Sequence, residues 1–329
     1  MPAPKPNIFK VAQLNAENLF LYLDEGVKRD WARVPEKDWQ ALSHATVPNK
    51  PLGKTLWLAE TIKDIDADLV FLNEVGGDES IRHFTHHFLE DRYRPYLVEG
   101  NSDRGIDVGY LVRKDLPYRI ELRSHRDRPL GFRYPHETPE AKTHYLSRDC
   151  AELRLYTPGA DRPFLIALCV HLKSKLDPEG IDPNGILRRQ AEASLVAEIY
   201  SEIRQEFSPP IPVILAGDFN GNASRAGQAP EFAALHKTDL QSVMDILNRE
   251  GEETATQLQF GRHSQIQGLQ IDYVFISPDL REQLMSEGTE VFRYRSDLKV
   301  AMPLPSTLDE RLKLPSDHYP VVASFNPWF

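Results

Sequence analysis

Short apolar runs that stop abruptly on a polar residue recur along this chain. D-L-V-F-L runs into Asn73-Glu74, F-L-I-A-L-C-V ends on His171, and V-I-L-A-G ends on Asp218-Phe219-Asn220. Asp272 sits at the head of D-Y-V-F-I, and Asp317-His318 precede Y-P-V-V-A-S-F. These runs are rich in β-branched and aromatic residues and bounded by turn formers, which reads as buried strands. Residues i and i+2 of a strand share a face, so Asp218 and Asn220 are expected side by side at a strand's carboxyl end. Asp218 offers only acceptors, whereas Asn220 offers an acceptor and a donor. Such a pair suits a divalent cation, a water nucleophile or a phosphate oxygen. Taken alone, the stretch is equally well read as a strand closed by an Asp/Asn/Gly turn.

Other strand-like runs are residues 11–14, 108–112 and 118–122, with a hairpin formed by 151–156 and 164–170 around T-P-G-A-D-R-P. Residues 184–205 carry a strong amphipathic helical pattern through Ile186, Leu187, Ala191, Leu195 and Ile199. Residues 53–66, 79–89 and 232–247 also read as helices, residues 24–54 as an irregular or partly helical insert, and 124–147 as a long loop. Strands outnumber helices and several follow one another through short turns, which points to an α+β or layered fold. No repeat or linker divides the chain. One domain over residues 1–329 is expected, with 1–7 a flexible tail.

Composition narrows the function classes. With 39 Lys and Arg against 49 Asp and Glu, the net charge is −10, which argues against tight, non-specific duplex binding. The same balance suits carboxylates gathered to hold a metal. No run approaches the ~18–20 apolar residues of a membrane span. The first residues lack a signal-peptide core, so a cytoplasmic location is expected. Cys150 and Cys169 stand apart in strand-like runs and read as buried thiols rather than a disulfide or metal site.

Two further patterns invite functional readings. His83 and His87 have the i, i+4 spacing of a zinc-binding helix, but the Glu that should follow the first histidine is missing. Arg123, Arg126, Arg128 and Arg133 lie in or beside the long loop, as a local phosphate-binding patch or as a solvated loop.

Strand ends on one side of a layered sheet can converge on one cleft. Asn15, Glu17, Glu74, His171, Asp218, Asn220, Asp272, Asp317 and His318 all sit at such ends. Together they make a hard oxygen-ligand site for Mg²⁺ or Mn²⁺ with proton-transfer groups beside it.

The segments L-N-A-E-N-L-F, F-L-N-E-V, R-G-I-D-V-G-Y-L-V-R, V-H-L-K-S-K, A-G-D-F-N, I-D-Y-V-F-I and P-S-D-H-Y-P-V, in this order, resemble the endonuclease/exonuclease/phosphatase superfamily, the deoxyribonuclease I-like fold. They run through residues 11–325, nearly the whole chain. The resemblance implies a four-layer α/β/β/α sandwich, two packed and mainly antiparallel β-sheets flanked by helices, with the site at one rim. It implies metal ligands at Asn15 and Glu74, with Asp317 of the closing Asp–His pair grouped with them. Glu17 falls on a further carboxylate found in some abasic-site endonucleases. His171, Asp218, Asn220, Asp272 and His318 fall on the catalytic positions, with Asp272 pairing the last histidine. Asp107 is a plausible orienter for His171. Lys173 and Ser174 are possible phosphate contacts, and Arg188, Arg189 and Gln190 open a helix beside them. Asn73 stands where Gln is commoner, a departure expected to matter little.

The activity implied is metal-dependent hydrolysis of phosphodiester bonds, as a nuclease, by in-line attack of an activated water. Nucleic acid or another phosphoester is then the partner, with no protein partner implied. The acidic charge keeps open a phosphatase or phosphodiesterase acting on a phospholipid, an inositol phosphate or another small phosphoester. A non-catalytic binding module of the same fold is the remaining alternative.

Overall fold

The computed structural model describes residues 8–24, 30–138, 140, 142–261 and 265–329. The expected tail over 1–7 lies outside them. The chain begins with β1 (Phe9–Leu19), α1 (Glu36–Gln40), α2 (Leu52–Ile65), β2 (Leu69–Val75), α3 (Gly77–Phe88), β3 (Tyr93–Leu97) and β4 (Asp107–Arg113). It continues through β5 (Arg119–Ser124), β6 (Cys150–Tyr156), β7 (Leu165–His171), α4 (Ile186–Glu206) and β8 (Val213–Asp218). The last part holds α5 (Ala233–His236), β9 (Gln241–Ser242), α6 (Val243–Ile246), β10 (Gln257–Phe260), β11 (Ile266–Leu269), β12 (Asp272–Ile276), β13 (Leu284–Val291), α7 (Leu308–Lys313) and β14 (Val321–Phe325).

Two six-stranded sheets result, in the orders β13-β14-β1-β2-β4-β3 and β5-β6-β7-β8-β12-β9, with β10 and β11 a separate ribbon. Each sheet is antiparallel except for one central parallel pair, β1 with β2 and β7 with β8. A parallel pair needs a long crossover, which α2 supplies in the first sheet and α4 in the second. Leu58, Ile62 and Ile65 sit on the buried face of α2, at the helical spacing that covers one side of a sheet. Asp66 then takes a left-handed conformation and ends the helix.

One apolar cluster joins the facing surfaces of the two sheets, through Val11, Phe71 and Tyr110 on one side and Leu153, Ala167, Ala216 and Val274 on the other. A second packs α2 and α3 on the outer face of the first sheet, and a third packs α4 and α5 on that of the second. This is the expected sandwich of four layers. Strands β7 and β8 are buried at every residue, which explains why their sequences read as continuous apolar runs rather than alternating ones.

The helix expected over 232–247 is broken into the short α5 and α6. After α5 the chain turns at Thr238, whose hydroxyl donates to Leu235 O and accepts from Leu240 N. Such local side-chain bonds compete with a helix. Gln241 and Ser242 are instead captured as β9 on the edge of the second sheet, opposite Ile276 and Phe275. Four strands were also hidden from pattern reading: β3, which tolerates Pro95 because it is an edge strand, and the polar β10, β11 and β13. Both cysteines are buried and unpaired. Among the described residues, no helix is long and apolar enough to cross a membrane.

Candidate active site

The parallel pairs place the polar strand ends. In the first sheet Asn15 of β1 lies opposite Asn73 of β2, and in the second His171 of β7 lies opposite Asp218 of β8. Asp272, the first residue of β12, pairs with Asp218 from the other side. The approach of β7 to β8 requires Gly217, where a Cβ would stand 1.9 Å from Val170 O and φ is +152°. That is the structural reason for the glycine of the G-D-F-N segment.

Asp218 is the meeting point. Its Oδ2 accepts from Asn15 Nδ2 at 3.0 Å and lies 3.6 Å from His171 Nε2 and 3.9 Å from His318 Nε2. Asn220 is not on the strand. It lies past the end of β8 with φ +53°, and its main-chain N–H donates to Asp218 Oδ1 at 2.8 Å. The turn and the site are therefore the same object, not competing accounts. Asn220 Nδ2 is committed to Leu172 O at 3.0 Å.

Asp272 and His318 form a buried pair, with 2.7 Å from Asp272 Oδ2 to His318 Nδ1. The other Asp272 oxygen accepts from Gln13 Nε2 at 3.0 Å. Burial alone would drive the His318 pKa down, but the Asp272, Asp218 and Asp317 carboxylates outweigh it and hold the imidazole well above its usual range. Burial, reinforced by Asp272, pushes Asp218 up to about 7. His171 goes the other way: burial, with Arg148 and His318 nearby, holds it well below its ordinary value and therefore neutral. Among the described residues its Nδ1 has no hydrogen-bond partner.

The remaining expected residues divide. Glu74 is half-buried and sits at φ +60°, with Oε1 3.3 Å from Asn15 Nδ2 and Oε2 accepting from Asn18 N at 3.1 Å. Asp317 accepts from Gln257 Nε2 at 3.1 Å, and its Oδ1 is 3.8 Å from His318 Nε2. Glu17 is held by Lys54 at 2.8 Å and Lys50 at 3.7 Å. Asp107 does not reach His171; it accepts instead from Gly100 N at 2.7 Å. Lys173 Nζ bonds the main-chain oxygens of Ser174 and Leu176, which places both residues in a cleft next to the site.

The side readings of the sequence are not assembled. Arg128 forks onto Glu198 and Glu202, Arg123 pairs with Glu121, and Arg126 donates to Glu99 O. Arg189 is buried and ties Lys173 O to Glu231, while Arg188 joins Glu192 and Tyr145 O. His83 bonds the main chain of Leu21, and His87 packs against Trp31.

Two buried amides were underrated in the sequence. Asn73 Oδ1 accepts from Asp218 N at 2.9 Å and Gln13 Nε2 at 3.0 Å, and its Nδ2 donates to Val170 O at 3.0 Å. It stitches the two sheets together directly behind the site. Gln13 bridges Asn73 to Asp272 and is wholly buried. An amide inside the apolar run V-A-Q-L was the available signal, because a buried polar side chain must find partners. Asn73 matters more than expected.

Among the described residues, Asp218, Asp272 and His318 bring ligand atoms within 4.8 Å of one another. Asp272 already accepts from both His318 and Gln13. Asn15, Glu74 and Asp317, which the resemblance groups as cation ligands, are a carboxamide and two carboxylates, oxygen groups of the kind that suits Mg²⁺ or Mn²⁺.

Two packed sheets between helices, with acids, amides and histidines at the ends of their central strands, define the deoxyribonuclease I-like α/β sandwich. A sequence model of the Endonuclease/Exonuclease/phosphatase family matches residues 52–318, and the chain belongs to that family. No curated protein sequence matches it. Among solved structures, the human Nocturnin catalytic domain with bound sulfate is similar at TM-score 0.59 and 14% identity, over 98% of this chain and 96% of that one. D. rerio TDP2 complexed with single-strand DNA product gives 0.58 and 14% identity, over 98% and 100% of the two chains. A family protein from Bacteroides thetaiotaomicron gives 0.55 and 19% identity, over 98% and 96%.

Proposed function

We propose that this protein hydrolyses phosphodiester bonds of nucleic acid, using Mg²⁺ or Mn²⁺ and an activated water. The observation that carries the reading is the convergence of Asn15, Glu74, Asp218 and the Asp272–His318 pair at the ends of both parallel strand pairs. Family membership supports phosphoester hydrolysis. The DNA-bound TDP2 structure, of the same fold, favours a nucleic-acid substrate.

In this reading Asn15, Glu74 and Asp317 hold the cation, which when bound draws charge from the phosphate. Asp218 orients the attacking water opposite the leaving oxygen and takes its proton, a task suited to a pKa near 7. The Nδ2 of Asn220 being engaged, its Oδ1 is the atom left to contact the attacking water. His318, oriented by Asp272 through Nδ1, exchanges the contact of its Nε2 with Gln257 for a phosphate oxygen, as a carboxylate-held histidine meets substrate in other hydrolases. His171 stays neutral and donates to a second non-bridging oxygen. Glu17 acts through Lys54 and Lys50 rather than on the cation. The chain works as one domain in the cytoplasm, readings favoured by the shared inter-sheet core and the two unpaired thiols.

The test is hydrolysis of bis(p-nitrophenyl) phosphate and of a labelled single-stranded oligonucleotide, with and without Mg²⁺ or Mn²⁺. Both activities are expected to need the cation and to vanish in Asp218→Ala and His318→Ala. Absence of any diester or monoester hydrolysis with any divalent metal would leave the binding-module reading. The net charge of −10 favours a second reading, a small or lipid phosphoester, which cleavage of the simple diester without the oligonucleotide would select.

A further inference from the structure

Beside the site lies a cleft of about 440 Å³ that none of these roles uses in full. It opens between the loop after β3, the residues just before β6 and the loop after β7. Arg148 lines it while being only 6% exposed. Its guanidinium makes no hydrogen bond or ion pair among the described residues, and its Nε is a buried donor without a partner. Lys173, in the same cleft, bonds only main-chain oxygens through its ammonium. Burial lowers its pKa and the neighbouring Arg148 charge adds to that, so the two cations repel each other.

Nearby acids act on them only through space, without a direct bond. Asp177 and Asp182 turn their carboxylates onto main-chain amides of residues 181, 182, 187 and 188. Glu192 is filled by Ser147, Arg188 and the Lys173 main chain. A buried arginine without an anion is unfavourable unless something binds it. Glu74, Asp218 and His171 all lie within its electrostatic reach, so whatever binds there adjoins the reacting centre.

We propose that this cleft is a subsite for a second phosphate of the substrate, one unit removed from the scissile one, with Arg148 and Lys173 as its contacts. The inference rests on the phosphodiesterase reading and narrows its substrate to molecules carrying a flanking phosphate. A guanidinium fork matches two phosphate oxygens, and Lys173 adds a point charge. Leu176, Ile181 and Tyr134 on the cleft wall give an apolar surface for the sugar or base between the two phosphates. The volume falls within the roughly 300–1,000 Å³ of small-molecule sites.

The test uses p-nitrophenyl esters of thymidine 3′-phosphate and thymidine 5′-phosphate, each with and without a phosphate on the other hydroxyl. For at least one isomer, the wild-type protein is expected to show a KM roughly tenfold lower when the second phosphate is present. Arg148→Met should abolish that advantage, and Arg148→Lys should restore part of it. Because it removes an unpaired buried charge, Arg148→Met should also leave Tm unchanged or higher. Equal losses on both substrates of a pair, or a clear drop in Tm, would overturn the subsite. If the wild-type protein hydrolysed none of the esters, the proposed function itself would fail. Calorimetry with thymidine 3′,5′-bisphosphate against thymidine 5′-monophosphate then tests the subsite alone. Tighter wild-type binding of the bisphosphate, lost in Arg148→Met, supports it, and no difference refutes it.

Discussion

In the first sheet the central parallel pair delivers Asn15 and Glu74 to the rim; in the second it delivers His171 and Asp218. The construction is the same, strand, crossover helix, strand, yet the surroundings differ. His171, Asp218, Asp272 and His318 are all at most 5% exposed and lean on one another and on buried amides. Glu74 and Asp317 remain half-buried, on the side open to solvent. A buried group keeps its shifted pKa because water cannot screen its neighbours. A half-open carboxylate can exchange a cation and its waters. In the proposed mechanism the two carboxylates that hold the cation are thus more open than the proton-handling groups, and substitutions on the two sides should fail in different ways.

The sharpest break is expected on the buried side. Asp218→Asn keeps the shape but removes the proton acceptor, so kcat should fall about 10²–10⁴-fold. Raising the metal concentration should not recover it. On the rim, Glu74→Gln should instead raise the cation concentration for half-maximal activity by about 10–100-fold, the range seen when a metal site loses one supporting group. Excess Mg²⁺ should restore much of the rate. A metal titration of both variants checks the contrast, and identical behaviour would erase the distinction between the two halves.

A pH profile probes the buried half from within. In the proposed mechanism His318 acts in its protonated form, present below its raised pKa and lost as pH climbs through it. Asp218 acts there when deprotonated, above about 7. The Asp272 carboxylate raises both pKa values, so Asp272→Asn should lower both. The whole bell should therefore move toward acid, by about 1–3 units for the loss of one close charge. Rate measurements at saturating metal across pH 5–10 check the direction. A profile that moved toward alkali would refute the assignment.

Much of this was legible in the sequence because strand ends are local events. Asp218, His171 and Glu74 each follow an apolar run, and the run announces both the strand and its end. Layer order could be inferred only through the resemblance, since nothing local says which strands are neighbours. The failures have the same origin. Thr238 to Ser242 follow a helix-like pattern but are captured by a sheet edge. Gln13, Asn73 and Arg148 matter through partners, or the lack of them, that tertiary packing creates. Asp107 looked suited to His171, yet a nearer main-chain amide takes it.

The smallest expected effect tests the rim against itself. Glu17 and Glu74 are both carboxylates at the carboxyl end of a central strand, and the family resemblance groups them as cation ligands. The structure separates them by their partners. Lys54 approaches Glu17 within 2.8 Å, and the buried Lys50, whose pKa burial lowers to about 8, donates to the Glu17 carbonyl at 2.9 Å. A carboxylate matched by two ammonium groups has little charge left for a cation, and a partly exposed pair of this kind contributes only about 0–1 kcal/mol. Glu17→Gln should therefore shift the metal requirement by less than about fivefold, the factor that 1 kcal/mol allows. The comparison is the same titration that gives the much larger shift for Glu74→Gln. Equal shifts in the two variants would place Glu17 on the cation and make the lysine contacts a resting arrangement that metal binding undoes.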